Sequence, residues 1–372
     1  MRKKTDRTQD IDNINITQMF NYNWSFKDYP AKHNLKVFST FACGGGSTMG
    51  YKLAGYDVIG CNEIDPKLIE IYKKNHNPKY CYLEDIRIFK NRTDLPKELY
   101  ELDILDGSPP CSTFSLAGQR EESWGKQKIF REGQAMQTLD DLFFDFIDLT
   151  AKLQPKVFIA ENVKGLLVGN AIKYVQKIIK GFEKAGYEVE YWLLNGADMG
   201  VPQARERVFF IGIRKDLCLK ITGTRQTLFS KMPALILNFN ERPIKFGEFR
   251  DSEGIDKTHT QRGQLMLQRI PSDRTVSDIN MRLYEKNSGF NDIIVHDEDV
   301  CATIPSASYH WRYFDGKVFT DHDLILASSF PLDYDFLDTS VKYVVGMSVP
   351  PLMIAQISNR IKLQWFDKLK ES

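Results

Sequence analysis

The fold is decided by residues 36–46, which read Lys-Val-Phe-Ser-Thr-Phe-Ala-Cys-Gly-Gly-Gly. A short apolar strand over 36–41 runs directly into a glycine-rich turn, and we expect a helix from about Ser47. Apolar patterns predict further strands over 57–61, 102–106, 157–160, 187–194 and 208–213, and helices over 66–75, 139–153 and 172–184. This alternation is typical of an α/β fold with a mostly parallel, doubly wound sheet covered by helices on both faces.

Composition excludes several classes of protein. The 372 residues suffice for about two domains. The 50 Lys and Arg against 49 Asp and Glu exclude a nucleic-acid binder that is basic throughout. The 42% hydrophobic and 27% charged residues exclude a disordered, collagen-like or low-complexity chain. The 6 cysteines show no C-x-x-C spacing, so we expect no metal. Without a signal peptide or a long apolar run, a cytoplasmic protein with reduced thiols and no membrane contact is expected.

Residues 1–30 form an expected N-terminal extension that is polar and irregular. It carries an aromatic cluster at Phe20, Tyr22, Trp24 and Phe26. These rings either dock onto the rest of the chain or touch a partner, and docking is favoured.

A shift in local charge predicts two domains after this extension. Residues 215–290 carry 13 Lys and Arg against 9 Asp and Glu, whereas residues 291–335 carry 2 against 9. The shift predicts a second, smaller domain over 231–340. The first domain then consists of 31–230 together with 341–372.

Two acidic side chains follow successive predicted strands. Glu63 closes the second strand, and Asp85 follows the next apolar stretch. Taken singly, each is compatible with a surface acid. Behind a glycine turn, one carboxylate at a strand end can accept ribose hydroxyls and the next can accept an adenine amine, which indicates a cofactor that contains adenosine. A nicotinamide dinucleotide is disfavoured, because the pattern G-x-G-x-x-G/A counted from Gly44 reaches Met49 at its sixth position.

A candidate nucleophile and a candidate acid follow two further strands. Residues 106–115 read Asp-Gly-Ser-Pro-Pro-Cys-Ser-Thr-Phe-Ser. The two prolines hold Cys111 rigidly at the end of a strand, which suits a nucleophile better than buried filler. Glu161 follows the next strand, where partial desolvation would raise the pKa of its carboxyl and make it a proton donor near neutral pH.

Three donors enter the last predicted strand at alternate positions, namely Gln203, Arg205 and Arg207. Alternate residues of a strand share one face, so Glu206 would point away from them. Such a triplet is compatible with a solvated edge strand. Near the other candidate residues, it supplies fixed donors for a carbonyl oxygen or a phosphate.

In this order, the motifs resemble those of the DNA (cytosine-5)-methyltransferase family, over about 36–214 and 300–351. The sequence departs from the family pattern at Cys43, His322, Asp323 and Met347, where Gly, Arg, Glu and Asn are usual. The resemblance assigns cofactor contacts to Phe41, Cys43, Gly44, Gly45, Gly46, Glu63, Ile64, Asp85, Ile86, Asp106, Pro109, Leu142, Ser348 and Val349. It assigns catalysis to Cys111, Glu161, Arg205 and Arg207, and DNA contacts to Ser112, Ser115, Gln119, Arg120 and Gln203.

The resemblance implies an S-adenosylmethionine-dependent, Rossmann-like fold whose region 231–340 is a target-recognition domain. It implies transfer of a methyl group to C5 of a flipped cytosine in a short sequence of double-stranded DNA, with S-adenosylhomocysteine as the other product. In this mechanism Cys111 adds to C6 of the cytosine, and Glu161 protonates or hydrogen-bonds N3. Arg207 with Arg205 holds O2. The implied context is a monomeric enzyme of a prokaryote or phage, with a cognate restriction endonuclease as a genetic but not a physical partner.

Two alternatives share this fold. A tRNA cytosine-5 methyltransferase would use the middle region to bind RNA, and a non-catalytic homologue would only bind DNA. Intact Cys111, Glu161 and Arg207 argue against the second alternative. The size of the middle region and its arginines favour DNA, since arginine side chains read guanine edges or hold phosphates. The arginines are Arg225, Arg242, Arg250, Arg262, Arg269, Arg274 and Arg282.

Overall fold

A computed structural model of the chain describes residues 20–110, 142–222, 232–287 and 292–371. The strands are β1 (Lys36–Thr40), β2 (Asp57–Glu63), β3 (Tyr80–Leu83), β4 (Ile104–Gly107), β5 (Val157–Val163), β6 (Tyr187–Asn195), β7 (Gln203–Ala204), β8 (Glu206–Arg214), β9 (Ile293–Val295), β10 (Cys301–Ala302) and β11 (His310–Arg312). The helices are α1 (Gly46–Leu53), α2 (Pro66–His76), α3 (Ile86–Phe89), α4 (Leu142–Leu153), α5 (Ile172–Lys184), α6 (Lys215–Thr222), α7 (Gln261–Met266), α8 (Val276–Tyr284), α9 (Asp321–Ala327), α10 (Val341–Met347), α11 (Pro351–Ile361) and α12 (Asp367–Glu371). A π-helical turn, Lys362–Phe366, joins α11 to α12.

Within the described residues, seven strands form one sheet in the order β3-β2-β1-β4-β5-β8-β6. The strands from β3 to β5 are parallel, and β8 runs antiparallel between β5 and β6. The predicted α/β fold with a mostly parallel sheet is therefore confirmed. Because β1 lies between β2 and β4, the sheet winds outward from β1 in both directions, and its carboxyl edge is the expected position of a ligand.

The two faces of the sheet carry separate apolar cores. Val157 and Ile159 belong to one core, whereas Phe158 and Ala160 belong to the other, as the alternation of side chains along β5 requires. Helices α1 and α11 contribute to the first core, and α4 and α5 contribute to the second. The predicted coverage of both faces is thus confirmed.

Local signals explain where the helices begin and end. The Asp65 carboxylate accepts the backbone N–H of Lys67 at 2.8 Å, which caps α2, and Pro66 occupies the first turn of that helix. The helix ends at His76 and is followed by Asn77, whose φ of 44° lies in the left-handed region. Across the described parts of the chain, no helix combines the length and the apolar character needed to cross a membrane.

A small third core lies inside the region 231–340. It is formed by Leu265, Met266, Val276, Ile279, Ile294, Trp311 and Val318. Residues such as Met232, Leu237 and Phe246 instead join the first core beside the sheet. The domain boundaries at 231 and 340 therefore stay a prediction.

The opposite charges of the two neighbouring segments, 215–290 and 291–335, are paired with each other in the structure. Arginines of the basic segment pair with carboxylates of the acidic one: Arg250 with Asp297 at 2.9 Å, Arg262 with Asp292 at 3.2 Å and Arg274 with Asp299 at 2.7 Å. Arg242 pairs with Glu248 at 2.6 Å, Arg282 pairs with Asp273 at 2.9 Å, and Arg269 donates to the Tyr313 carbonyl at 2.6 Å. Most of the arginines expected to read DNA thus have protein partners, whereas Arg225 lies outside the described residues.

Gly50 allows the close packing of α1 on α11, and its replacement tests that contact. An added Cβ would lie 2.6 Å from the Cβ of Ile354 and would also meet the Pro351 carbonyl. Replacing a glycine inside a free helix by alanine adds up to about 1 kcal/mol of stability. For Gly50→Ala we expect the opposite sign, a loss of about 1–3 kcal/mol in the free energy of unfolding by urea, because α11 must move away.

Gly181→Ala is the matched control for this prediction. Gly181 lies inside α5, where the nearest atom to an added Cβ is the flexible Ile147 Cδ1 at 2.9 Å. We expect this variant to lose less stability than Gly50→Ala or to gain some. Equal losses for the two variants would contradict the packing argument.

Candidate active site

The glycine-rich turn after β1, residues 41–46, is the cofactor turn of the predicted site. It is strained at two L residues, since Phe41 and Cys43 have φ values of 52° and 48°, whereas Gly45 adopts its φ of 82° without steric cost. The space in which Gly44 would carry a side chain is filled by the protein, because an added Cβ would lie 2.5 Å from Val344 Cγ1. At Gly46 the added atom would meet the Val349 carbonyl. These glycines are thus required by packing against the chain segment around Ser348, in addition to the sharp turn.

Glu63 joins the cofactor turn to the end of β2. Its carboxylate accepts the backbone N–H of Cys43 at 2.7 Å and that of Ile64 at 2.8 Å. It also accepts the N–H of Asp65 at 2.9 Å. The side chain is buried, and this burial raises the pKa of the carboxyl despite the three hydrogen bonds.

Asp85 lies at the end of the neighbouring strand β3 and caps α3, which begins at the buried Ile86. Burial opposes ionisation of the Asp85 carboxyl, but hydrogen bonds from Arg87 outweigh burial and lower its pKa. One of these contacts is an ion pair of 2.6 Å between Arg87 Nη2 and Asp85 Oδ2. The two predicted acids therefore lie at the carboxyl ends of adjacent strands.

Asp106 is buried in β4, next to the last residue of that strand. Its carboxylate accepts the Ser39 hydroxyl at 2.7 Å and the Tyr51 hydroxyl at 3.0 Å. Burial raises the pKa of Asp106 to about 7, although these hydrogen bonds act in the opposite direction. In the structure Asp106 thus connects β1, β4 and α1, and its expected contact with a cofactor stays a prediction.

The loop after β4 leads toward the predicted nucleophile. The Asn162 side-chain amide donates to the Pro109 carbonyl at 3.1 Å, which fixes the start of this loop to β5. Cys111 and the predicted DNA contacts Ser112, Ser115, Gln119 and Arg120 lie outside the described residues. The chain is described again from Leu142, which is buried at the start of α4.

Glu161 and Arg207 form a buried ion pair at the same edge of the sheet. Their atoms Oε1 and Nε are 2.9 Å apart, and the side chains are 11% and 14% exposed. The pair forms because β8 runs antiparallel to β5 and starts at its carboxyl end, where Arg207 lies opposite Val163. Burial lowers the pKa of Arg207, and the attraction of Glu161 opposes this effect. The arrangement presents a carboxyl and a guanidinium side by side beside the loop that leads to Cys111.

Gln203, Arg205 and Arg207 do not form a single strand. Gln203 belongs to β7, which pairs with β10, whereas Arg207 belongs to β8 of the main sheet. The Gln203 amide is buried, donates to the Ala327 carbonyl at 3.2 Å and accepts the Ile304 N–H at 3.1 Å. It is therefore used between parts of the protein, and contact of Gln203 with DNA stays a prediction.

Arg205 connects three chain segments from a buried position. Its guanidinium donates to the carbonyls of Ile304 at 3.2 Å, Gly346 at 3.1 Å and Ser348 at 3.0 Å. Burial lowers the pKa of Arg205 to about 9. These contacts hold the segment around Ser348 and Val349 against the cofactor turn, where the Ser348 hydroxyl lies 3.6 Å from the Cys43 sulfur. The structure thus gives Arg205 a connecting role and places Arg207 beside Glu161.

The acids at the ends of β2 and β3 and the acid–guanidinium pair between β5 and β8 lie at the carboxyl edge of the sheet, where α/β proteins bind their ligands. Residues 35–363 match the sequence model of the family described as C-5 cytosine-specific DNA methylase. The chain belongs to this family.

Two curated relatives and one solved structure illustrate the similarity. The type II methyltransferase M.FnuDI of Fusobacterium nucleatum is 40% identical over 187 residues, which are 49% of this chain and 48% of the relative. This chain therefore spans about half the length of that relative. M.NgoFVII of Neisseria gonorrhoeae is 28% identical over 353 residues, 88% of this chain and 86% of the relative.

The solved structure is that of a prophage-encoded E. coli protein described as a DNA modification methyltransferase. It is 22% identical, with a TM-score of 0.59, and the match covers 91% of this chain and 100% of that chain. This likeness shows the shared fold.

Several residues near the site were not predicted from the sequence. Ser39, Tyr51 and Asn162 hold Asp106 and the loop before Cys111, and His76 and Tyr334 both contact the Gly44 carbonyl. Asn162 could have been predicted as a site residue, because it directly follows Glu161 near the end of a buried strand. The sequence holds no such signal for Tyr334, which lies 290 positions from Gly44.

The raised pKa of Asp106 generates a prediction about stability. A carboxyl with a folded-state pKa of about 7 keeps its proton in the folded protein over the range in which the unfolded chain loses it. Its contribution is fully present below about pH 4, the unfolded pKa, and is lost as pH rises through the folded pKa. We expect the free energy of unfolding of the wild type to fall relative to Asp106→Asn between pH 4 and pH 7.5, by up to about 4 kcal/mol.

The measurement is urea unfolding of both proteins across this range. Asp338→Asn, at an exposed position, serves as the control for loss of one charge. A constant difference between the wild type and Asp106→Asn across the pH range would contradict the assignment.

Proposed function

We propose that this protein is a DNA (cytosine-5)-methyltransferase. It transfers a methyl group from S-adenosylmethionine to C5 of a flipped cytosine within a short sequence of duplex DNA. The observation that carries the proposal is the buried Glu161–Arg207 pair of 2.9 Å. In the register of β4 and β5, Gly107 lies opposite Ala160, so Glu161 is next to the start of the loop toward Cys111.

The residues at the ends of β2 and β3 suit S-adenosylmethionine by their chemistry. A carboxylate has about four lone-pair sites, so Glu63 can accept a ribose hydroxyl beside its three backbone N–H groups. Asp85 can accept an exocyclic adenine amine from the next strand end, with Phe41 and Ile86 as apolar neighbours of the ring. When bound, this cofactor supplies an electrophilic methyl group.

Three side chains of the protein, those of Cys111, Glu161 and Arg207, activate the cytosine ring for methyl transfer. Cytosine C5 is a poor nucleophile, and addition of the Cys111 thiolate to C6 converts the ring into an enamine that is nucleophilic at C5. Glu161 hydrogen-bonds or protonates N3 and so draws electrons from C6, while Arg207 holds O2 and stabilises the developing charge. A base then removes the C5 proton, and Cys111 leaves C6 as a thiolate. For this chemistry the target cytosine must first leave the DNA stack, at a cost of a few kcal/mol.

The names of the relatives support a restriction–modification context. Both curated relatives are type II methyltransferases. In such a system the methyl group marks a sequence that a separately encoded endonuclease would cut. We therefore propose a genetic rather than a physical partner, and we propose that the chain acts as a monomer. Region 231–340 is the proposed target-recognition domain.

The test is transfer of a labelled methyl group from S-adenosylmethionine to unmethylated duplex DNA and, in parallel, to tRNA. The nucleic acid is then hydrolysed to identify the modified base and sequenced to find its positions. We expect 5-methylcytosine at one short recurring DNA sequence. Label in tRNA alone would replace the proposal by the RNA alternative.

Cys111→Ala is predicted to abolish this transfer while cofactor binding is retained. The thiolate is needed to activate C5, whereas the acids that suit the cofactor lie on other strands. The measurements are methyl transfer under single-turnover conditions and calorimetric binding of S-adenosylhomocysteine. Turnover near that of the wild type would contradict the role of Cys111.

Glu161→Gln is predicted to lower kcat by about 100- to 10,000-fold, because an amide has no acidic proton for N3. The affinity for S-adenosylhomocysteine should stay close to that of the wild type. Glu206→Gln is the matched control, since Glu206 pairs with Lys164 at 2.7 Å on a half-exposed surface of the same strand region. A similar loss of kcat in both variants would argue against a specific role of Glu161.

A further inference from the structure

The carbonyl of Gly44 in the cofactor turn receives two side-chain hydrogen bonds. One comes from the Tyr334 hydroxyl and the other from His76 Nε2 at 3.3 Å. Both side chains are buried, with 5% and 6% of their surface exposed. A carbonyl oxygen only accepts, so the His76 ring must carry its proton on Nε2. Burial and the nearby Lys52 lower the pKa of His76 to about 3, which keeps the ring neutral.

These two bonds act on a backbone that is strained. Phe41 and Cys43 are L residues in the left-handed region, where each costs about 1 kcal/mol or more. Such a conformation persists only where the surroundings determine it. An added Cβ at Gly45 would lie 2.6 Å from His76 Cδ2, so the imidazole also fixes the turn sterically. The Gly44 carbonyl is thus held from outside the turn by two distant side chains.

Tyr334 is itself fixed, because the segment 329–336 is held from two sides. On one side Trp24 Nε1 donates to the Ser329 carbonyl at 2.9 Å, and the Phe26 N–H donates to the Asp333 carboxylate at 3.1 Å. Both donors belong to the N-terminal arm, residues 20–29. The arm therefore packs on the protein, and its Phe26 ring lies 6.2 Å from the ring of Tyr334.

On the other side, the end of α2 holds the same segment. Asn75 donates its side-chain amide to the Asp335 carbonyl at 2.8 Å and accepts the Asp335 N–H at 2.8 Å. His76 follows directly, so one helix end contacts both the segment and the cofactor turn. The arm, α2 and the segment form one connected support behind the Gly44 carbonyl.

We propose that Tyr334 and His76 are positioning residues for the cofactor turn, and that the N-terminal arm contributes to cofactor affinity by holding Tyr334 in place. The inference rests on the proposed function, which assigns this turn to S-adenosylmethionine. In this proposal neither Tyr334 nor His76 contacts the reacting atoms. Their loss therefore affects the affinity for the cofactor and leaves the chemical step unchanged once the cofactor is bound.

Tyr334→Phe tests the proposal, because it removes the hydroxyl and keeps the ring against Phe330 and Phe336. Tyr187→Phe is the matched control, since its hydroxyl is also buried and donates to a carbonyl, that of Pro155 at 2.7 Å. Both variants should lose a similar amount of stability. In Tyr334→Phe we expect the dissociation constant of S-adenosylhomocysteine to rise about ten-fold, which is equivalent to one lost hydrogen bond. Tyr187→Phe should leave it unchanged.

Two further readouts separate positioning from general loosening. The KM for S-adenosylmethionine should rise in Tyr334→Phe while kcat at saturation stays near that of the wild type. In the cofactor-free protein, amide hydrogen exchange of residues 42–46 should be faster in Tyr334→Phe and His76→Phe than in Tyr187→Phe. His76→Gln, which keeps an N–H donor, should exchange more slowly than His76→Phe.

The outcomes distinguish this inference from the proposed function. Unchanged affinity and unchanged exchange in Tyr334→Phe would overturn the positioning role, even if the wild type methylates DNA. Failure of the wild type to bind S-adenosylhomocysteine would overturn the proposed function, whereas faster exchange of the turn in Tyr334→Phe would still support the role of Tyr334 in holding it.

Discussion

The candidate site depends on the central position of β1 in the sheet. Parallel pairing with β2 on one side and β4 on the other brings the turn after Thr40, the acid Glu63 and the loop after Gly107 to one edge. Pairing of β4 with β5 adds Glu161 to this edge. The reversed strand β8 starts at the edge where β5 ends, and so supplies Arg207. Glu63, Glu161 and Arg207 are thereby placed by backbone hydrogen bonds of the sheet.

Buried charge at this edge is compensated locally. Glu63 accepts three backbone N–H groups, and Glu161 faces Arg207, so neither carboxylate loses its hydration without a replacement. A buried ion pair of this kind contributes little net stability. In the second region, arginines and carboxylates pair across the basic and acidic segments. The number of arginines in that region is therefore not by itself evidence that the region binds DNA, because most of them have partners within the protein.

Periodicity and strand-end chemistry sufficed to predict six of the seven strands of the main sheet and the helices on both of its faces. The strand β3 was expected only as a strand end before Asp85. These features are local, because a strand and the turn that follows it are encoded together. The connections of Arg205 to Ile304 and Gly346, and of Tyr334 to Gly44, could not be predicted in this way. They join segments that are 99 to 290 positions apart, and their partners are backbone carbonyls, which every residue carries. The change of pairing at Arg205 was likewise hidden, since β7 finds its partner β10 about 100 residues later.

The central claim, that this edge of the sheet carries out covalent chemistry on cytosine through Cys111, is tested most directly by trapping the intermediate. The protein and S-adenosylmethionine are incubated with a duplex library of random sequence in which cytosine is replaced by 5-fluorocytosine. Fluorine cannot leave C5 as a cation, so the bond between sulfur and C6 persists. We expect a protein–DNA adduct that peptide mapping places on Cys111. An adduct on another cysteine, or none under conditions in which ordinary DNA is methylated, would contradict it.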